Sequence, residues 1–265
     1  MKSVVFLTAM MMEEQLKKLV AHAESKPPSQ LIIISGKNSR LETSFNPPLV
    51  FPKSCSYKMA LCRVETYYSF PNIDNTNNTV KVSIDNGVNW ITITIPTGCY
   101  EIKAINSEIQ RFIKKSGGKA DVVKFSSNPH TLKCVLNIKK KTNYVVDFKV
   151  DNSLQSVLGF EAKQYKSGRY ESENLVNIIN VNSILVHSNV VGASRVNGIE
   201  APIIYNFFPN VAPGEKIVST PRHLIYLPLT LDIISHMSCW VTDQNGKELD
   251  LRGEELTLTF HMKAR

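Results

Sequence analysis

Apolar and polar residues alternate with a period of two through most of the chain after Leu31, most cleanly across residues 255–263. There Leu256, Leu258, Phe260 and Met262 fall on one side of an extended backbone, and Thr257, Thr259, His261 and Lys263 on the other. Slipping such a segment by one residue would turn its whole apolar set into water, so it reads as a strand with one buried face and a fixed register. Shorter segments of the same character begin with LIIIS (31–35) and YKMALCRVETYYSF (57–70). DVVKFS (121–126), TLKCVLNI (131–138), NYVVDFKV (143–150) and LVNIINV (175–181) follow. SILVHSNVV (183–191), APIIYNFF (201–208), EKIVST (215–220), HLIYLPL (223–229) and MSCWVT (237–242) complete the series.

Turn chemistry punctuates these runs. Asn86-Gly87, Asn197-Gly198 and Asn245-Gly246 each supply residues that tolerate the positive φ of a tight hairpin. In TVKVSIDNGVNWITITIP (79–96), Val88 and Trp90 occupy even positions but Ile91, Ile93 and Ile95 odd ones, which predicts a β-bulge between Trp90 and Ile91. Many short strands spaced by turns predict an all-β fold, an antiparallel jelly-roll sandwich or two packed β subdomains.

Two segments have helical spacing. Ile105, Ile109, Phe112 and Ile113 share one face of EIKAINSEIQRFIKKSGG (101–118). Lys114 and Lys115 suit its last turn, Gly117 can close it, and it is expected to cover an edge or mouth of the sandwich. Near the start, Met12, Leu16, Leu19, Val20 and Ala23 share a face, Glu13 and Glu14 stand four before Lys17 and Lys18, and Pro27-Pro28 ends the run. The polar stretch 159–174 (GFEAKQYKSGRYESEN) lacks periodicity and is the best internal boundary. The expected division is a helical extension at 1–30, a β half at 31–160 and a β half at 161–265, or a single jelly roll over 31–265.

Thirty-one Lys and Arg against twenty-three Asp and Glu give a formal charge of +8. Spread over the chain, this excess mainly favours solubility and non-specific contact with polyanions. Cys55, Cys62, Cys99, Cys134 and Cys239 are odd in number and widely spaced, so they read as thiols of a reducing compartment. In the opening MKSVVFLTAMMMEEQ, Glu13 and Glu14 occupy the place where a signal peptide would need small residues, and no apolar run is long enough to span a bilayer. Neither secretion nor membrane anchoring is expected. Asn77-Asn78-Thr79 fits a glycosylation acceptor, but the thiols argue against the route that would use it.

Chemistry-bearing patterns are missing. His22, His130, His187, His223, His236 and His261 show no metal-binding spacing, SGGK (116–119) lacks the phosphate-loop frame, and no GxSxG or calcium-loop motif occurs. No catalytic, metal or cofactor residue is assigned, and no small-molecule substrate is expected. Lys139, Lys140 and Lys141 form the sharpest charge cluster, either a solvated hairpin tip or a nucleic-acid phosphate contact.

Residues 198–264 carry an apolar run beginning at Pro202, a Pro213-Gly214 turn, YLPL (226–229), an Asp243-x-x-Gly246 turn and a closing strand after Gly253-Glu254. In this pattern they resemble the C-terminal half of the minor capsid proteins of Polinton (Maverick) elements, adintoviruses and virophages. Upstream, residues 59–73, 95–110 and 158–160 resemble the same family's N-terminal half, so the likeness runs from about Leu41 to Ala264; residues 1–30 have no counterpart. The resemblance implies a penton-like jelly roll that forms homopentamers at the fivefold vertices of an icosahedral shell. Its partners would be copies of itself, a double-jelly-roll major capsid protein and packaged DNA. It would reside in virions and inside the host cell and need no active site. The candidate subunit interface is Tyr67, Tyr68 and Phe70 in one segment and Tyr205, Phe207 and Phe208 in another, with ordinary core packing as the competing reading. A secreted jelly-roll ligand or lectin and an enzyme on the same scaffold are the alternatives; the first requires N-terminal cleavage, the second a metal site.

Overall fold

The computed structural model describes residues 29–51 and 56–264. The first strands are β1 (Ser29–Gly36), β2 (Arg40–Val50) and β3 (Tyr57–Tyr67). Next come β4 (Thr79–Ser83), β5 (Ile91–Thr94), helix α1 (Ile102–Lys115), β6 (Val123–Asn128), β7 (Lys133–Ile138) and β8 (Val145–Asp147). A helical turn α2 (Gln155–Leu158), β9 (Gln164–Tyr165) and β10 (Gly168–Glu171) end this middle stretch. The remainder is β11 (Ile184–Ser188), β12 (Arg195–Val196), β13 (Ile199–Glu200), β14 (Ile203–Phe207), β15 (Lys216–Ser219), β16 (Leu227–Pro228), β17 (Ile233–Thr242) and β18 (Leu256–Ala264).

The outer strands of the chain form two facing sheets. One has the order β1-β18-β3-β15, with β16 also paired to β3; the other has the order β14-β11-β17-β2. The pairings are nested: β1 with β18, β2 with β17, β3 with β15 and β11 with β14, all antiparallel. A long antiparallel ribbon wound on itself gives this order, and it is the jelly roll expected from the alternation. Register follows the apolar positions. Ile32 lies opposite Phe260 and Ile34 opposite Leu258, while on the other side of β18 Phe260 lies opposite Leu61 and Met262 opposite Met59. All of these are buried and meet Leu41, Ile184, Val186, Met237, Cys239 and Val241 of the second sheet in one core. Each such side chain removed from water contributes roughly 1.5–3 kcal/mol before the entropy of ordering it is counted.

Residues 73–165 supply a second, separate core. The sheets β5-β4-β8-β9 and β10-β7-β6 surround it. Helix α1 buries Ile102, Ile105, Ile109 and Ile113 there, and Gln110 donates to the Val123 carbonyl at the start of β6. It ends as its glycines require: Gly117 takes a positive φ, and the Gly118 amide donates back to Ile113 O. The helix thus covers this inner cluster and not an edge or mouth of the roll. The stretch 159–174, expected as the internal boundary, packs into this second core. Phe160 and Tyr165 are buried beside Phe125 and Phe148, with the Phe148 and Phe160 rings stacked at 5.3 Å. Gly159, at φ +78°, passes so close to Asn174 that a Cβ would sit 2.4 Å from its carbonyl oxygen. The two buried clusters are therefore nested along the chain, whereas the expected halves 31–160 and 161–265 are consecutive.

Other local expectations change for identifiable reasons. No bulge lies between Trp90 and Ile91: β5 starts at Ile91 in unbroken register with β4. Residues 84–90 form a loop around Asp85, whose carboxylate accepts from the Asn89 backbone and side chain and the Ser83 hydroxyl. Those bonds hold the Asp85 carboxyl down at about 2. Residues 175–181 are an extended connector and not a strand; Leu175 and Ile179 are exposed, and the Val176 and Asn177 amides bond to Leu132 and Val157. Conversely β2 escaped the periodicity reading because Pro47-Pro48 interrupts it, which an edge strand tolerates. The expected N-terminal helix lies outside the described residues.

Replacing Phe260 with Ala is expected to lower unfolding free energy in urea by about 3–5 kcal/mol. The adjacent outward Thr259→Ala should stay within about 0.5 kcal/mol. Equal losses at both positions would contradict the assigned faces of β18.

Candidate assembly surfaces

The loops at one end of the roll meet the unit built on the second core. Lys247 Nζ of the roll lies 3.7 Å from Asp74 of that unit, while within the roll Ser69 Oγ donates to Leu251 O at 2.7 Å and the Tyr68 amide to Glu215 O at 2.9 Å. Asn72 ties the two ends of the inserted unit together. Its Nδ2 donates to Tyr100 O at 2.7 Å and Ile178 O at 2.9 Å, and its Oδ1 accepts from the Tyr100 amide at 2.8 Å. Beside it lies a groove of about 900 Å³ whose apolar wall includes Tyr68, Phe70, Tyr100, Ile179, Pro209 and Val211.

The two aromatic segments singled out in the sequence converge on this region, but not all their rings are available. Phe70 is buried and stacks on Tyr68 at 4.4 Å. Phe207 is buried opposite Ile184. Both belong to the roll's core, because the backbone turns each inward, and so follow the competing reading of ordinary core packing. Tyr67, Tyr68 and Tyr205 are half-buried, with the Tyr205 hydroxyl 3.2 Å from Ser219 Oγ, and Phe208 is 69% exposed.

Strand edges add a surface that sequence reading missed. The roll has two lateral sides, β1 with β2 on one and β14 with β15 on the other. Three of these four edges are guarded: β2 by Pro47-Pro48, β15 by the Lys216–Glu65 ion pair at 2.6 Å, and β14 by its shortness and a register shift opposite Val186/His187. Strand β1 has neither charge nor proline over its eight residues, and it exposes Leu31 and Ile33 at 63% and 62%. Val218 of β15 and Phe208 after β14 are exposed on the opposite side.

Titratable groups are dispersed. Among the described residues no cluster of three or more His, Cys, Asp or Glu could hold a metal. His261 lies between Ser29 Oγ at 2.5 Å and the Tyr226 hydroxyl at 2.6 Å on the outer face of the β18 sheet. Lys263 covers the Tyr226 ring, and the three groups come from distant parts of the chain, so no spacing signalled them. His187 stacks on Trp240 at 5.0 Å, and burial, then Arg40, pushes its pKa down. Burial raises the Cys62 and Cys99 thiols and pushes Cys134 and Cys239 up to about 12. Cys99 also donates to Phe70 O at 3.3 Å beside the groove. Lys139, Lys140 and Lys141 occupy the exposed turn between β7 and β8, with Lys139 paired to Asp121.

No protein-family model matches the chain, and no curated protein matches it. Among solved structures it is similar to the mavirus penton protein, with a TM-score of 0.50 and 10% identity over 90% of this chain and 100% of that one. At that identity the likeness concerns the fold. Domains D2 and D3 of the flagellar cap protein from Escherichia coli align over 82% of this chain and 100% of that one at 14% identity, with a TM-score of only 0.20. Among the described residues no helix is long and apolar enough to cross a membrane.

Iodoacetamide at about pH 8 should label Cys62 and Cys99 slowly and leave Cys134 and Cys239 untouched until the chain is unfolded, because the raised pKa leaves almost no thiolate. Peptide mass mapping reads the result. Free-thiol rates at Cys134 or Cys239 in the folded protein would contradict their burial.

Proposed function

We propose that the chain is a structural capsid subunit of the penton kind, a homopentamer at the fivefold vertices of an icosahedral shell encoded by a Polinton-type element. The observation that supports this best is a likeness to a penton protein extending over nine-tenths of this chain and all of the other. It therefore takes in both the roll and the unit inserted into it. The earlier resemblance of residues 59–73 and 202–264 to minor capsid proteins points the same way.

The shape of the roll suits such a ring. A closed five-membered ring needs heterologous contacts, in which one side of each copy meets a different side of the next. The β1/β2 side offers Leu31 and Ile33 on a strand without charge or proline, while the β14/β15 side offers Tyr205, Phe208 and Val218. A permanent contact of this kind buries on the order of 2,000 Å² and is built around aliphatic and aromatic anchors. The further partner in this reading is a double-jelly-roll major capsid protein, and the place of action is the virion and the interior of the host cell.

Native mass spectrometry, alone and with the major capsid partner, is expected to find five copies of the 29.8 kDa chain. Ile33→Lys and Phe208→Asp should each shift that species towards monomer with little change in melting temperature. A chain that stays monomeric beside its partner, or closes as a twofold dimer, would overturn the proposal.

A further inference from the structure

One end of the inserted unit gathers six lysines from two elements. Lys114 and Lys115 stand in the last turn of α1 and Lys119 follows it, while Lys139, Lys140 and Lys141 form the β7–β8 turn. Backbone contacts hold the two groups together. The Lys139 amide donates to Val122 O at 3.0 Å, the Lys119 amide to the Tyr144 hydroxyl at 2.6 Å, and Val123 pairs with Ile138. All six side chains are exposed. Lys139 pairs with Asp121, whose carboxyl it holds below the usual range; no ion pair to the other five occurs among the described residues. The adjoining loop brings Asp85 near through the bond from the Asn86 amide to Asn143 O, but that carboxylate is occupied by Ser83 and Asn89. Helix α1 is 14 residues or about 21 Å long and lines the groove with its first half, as far as Glu108, so the lysines at and after its last turn lie at the opposite end of the helix from the groove.

We propose that this lysine-bearing end is a sequence-independent docking surface for the phosphate backbone of duplex nucleic acid. Its chemistry fits that occupant by charge. Lysine ammoniums are compact point charges suited to phosphate oxygens, and counterion release makes several such contacts favourable without any reading of bases. A protein partner would need apolar or aromatic anchors at the centre of the contact. A bilayer would need an amphipathic face, and Val88 on the adjoining loop is a single exposed apolar group. The proposal does not depend on pentamer formation.

Fluorescence anisotropy with a short random-sequence DNA duplex tests it. Raising salt from about 50 to about 200 mM should weaken binding by the intact chain about a hundredfold, as four phosphate contacts would. Lys114, Lys115 and Lys119 replaced together by Gln, or Lys139, Lys140 and Lys141 replaced together, should each reduce that salt effect to about tenfold. Replacing all six with Gln should abolish binding, and replacing all six with Arg should preserve it. Replacing Lys37, Lys58 and Lys247 of the roll should change nothing. Unchanged binding by the six-Gln variant would overturn the proposal. So would an effect confined to one trio, or tighter binding to heparin or phosphatidylserine vesicles than to DNA at equal ionic strength.

Discussion

The placement of β18 between β1 and β3 is the constraint on which the roll depends. It brings Phe260 against Ile32 on one side and Leu61 on the other, joining segments 228 and 199 residues apart. Closing so long a loop costs only logarithmically more than closing a short one, whereas each aligned apolar pair returns burial energy directly. The same logic lets the chain carry a large unit between β3 and β11. Its two ends meet at Asn72 and Asn180, which bond to Ile178 O and Pro71 O respectively, so the roll experiences the insertion as one long loop with neighbouring ends.

Period-two patterning made β18, β1 and β3 legible, and the 3.6 period with its terminal glycines made α1 legible. The same signal could not show the nesting. Val80, Val82 and Ile93 of the inner core alternate just as Leu258 and Phe260 of the outer core do, and periodicity says which face is buried but not against which partner. Composition misled at residues 159–174, where Phe160 and Tyr165 lodge in an aromatic cluster despite their polar neighbours. It misled again at Phe70 and Phe207, because an aromatic residue beside a turn carries no mark of whether it faces the core or a neighbour. The six lysines of the distal end were visible only as one trio, since α1 and the β7–β8 turn are joined in space by backbone bonds around Val122 and Tyr144.

The structure separates two kinds of surface. The lateral sides of the roll are apolar at β1 and around Phe208, while the end of the inserted unit at the last turn of α1 is cationic and lies beyond the groove. For a building unit that separation has a physical use: contacts made by burial and contacts made by charge respond differently to salt, so either can change without the other. The proposed roles at these two surfaces draw on that difference.

Native-state amide hydrogen exchange tests the central claim most directly. If β18 closes the roll, the amides from Leu256 to Ala264 that bond to β1 and β3 should exchange only with global unfolding and with the same free energy as those of β3. Exchange of β18 by local opening while β3 and β17 remain protected would show that the roll stands without it, and would contradict the account.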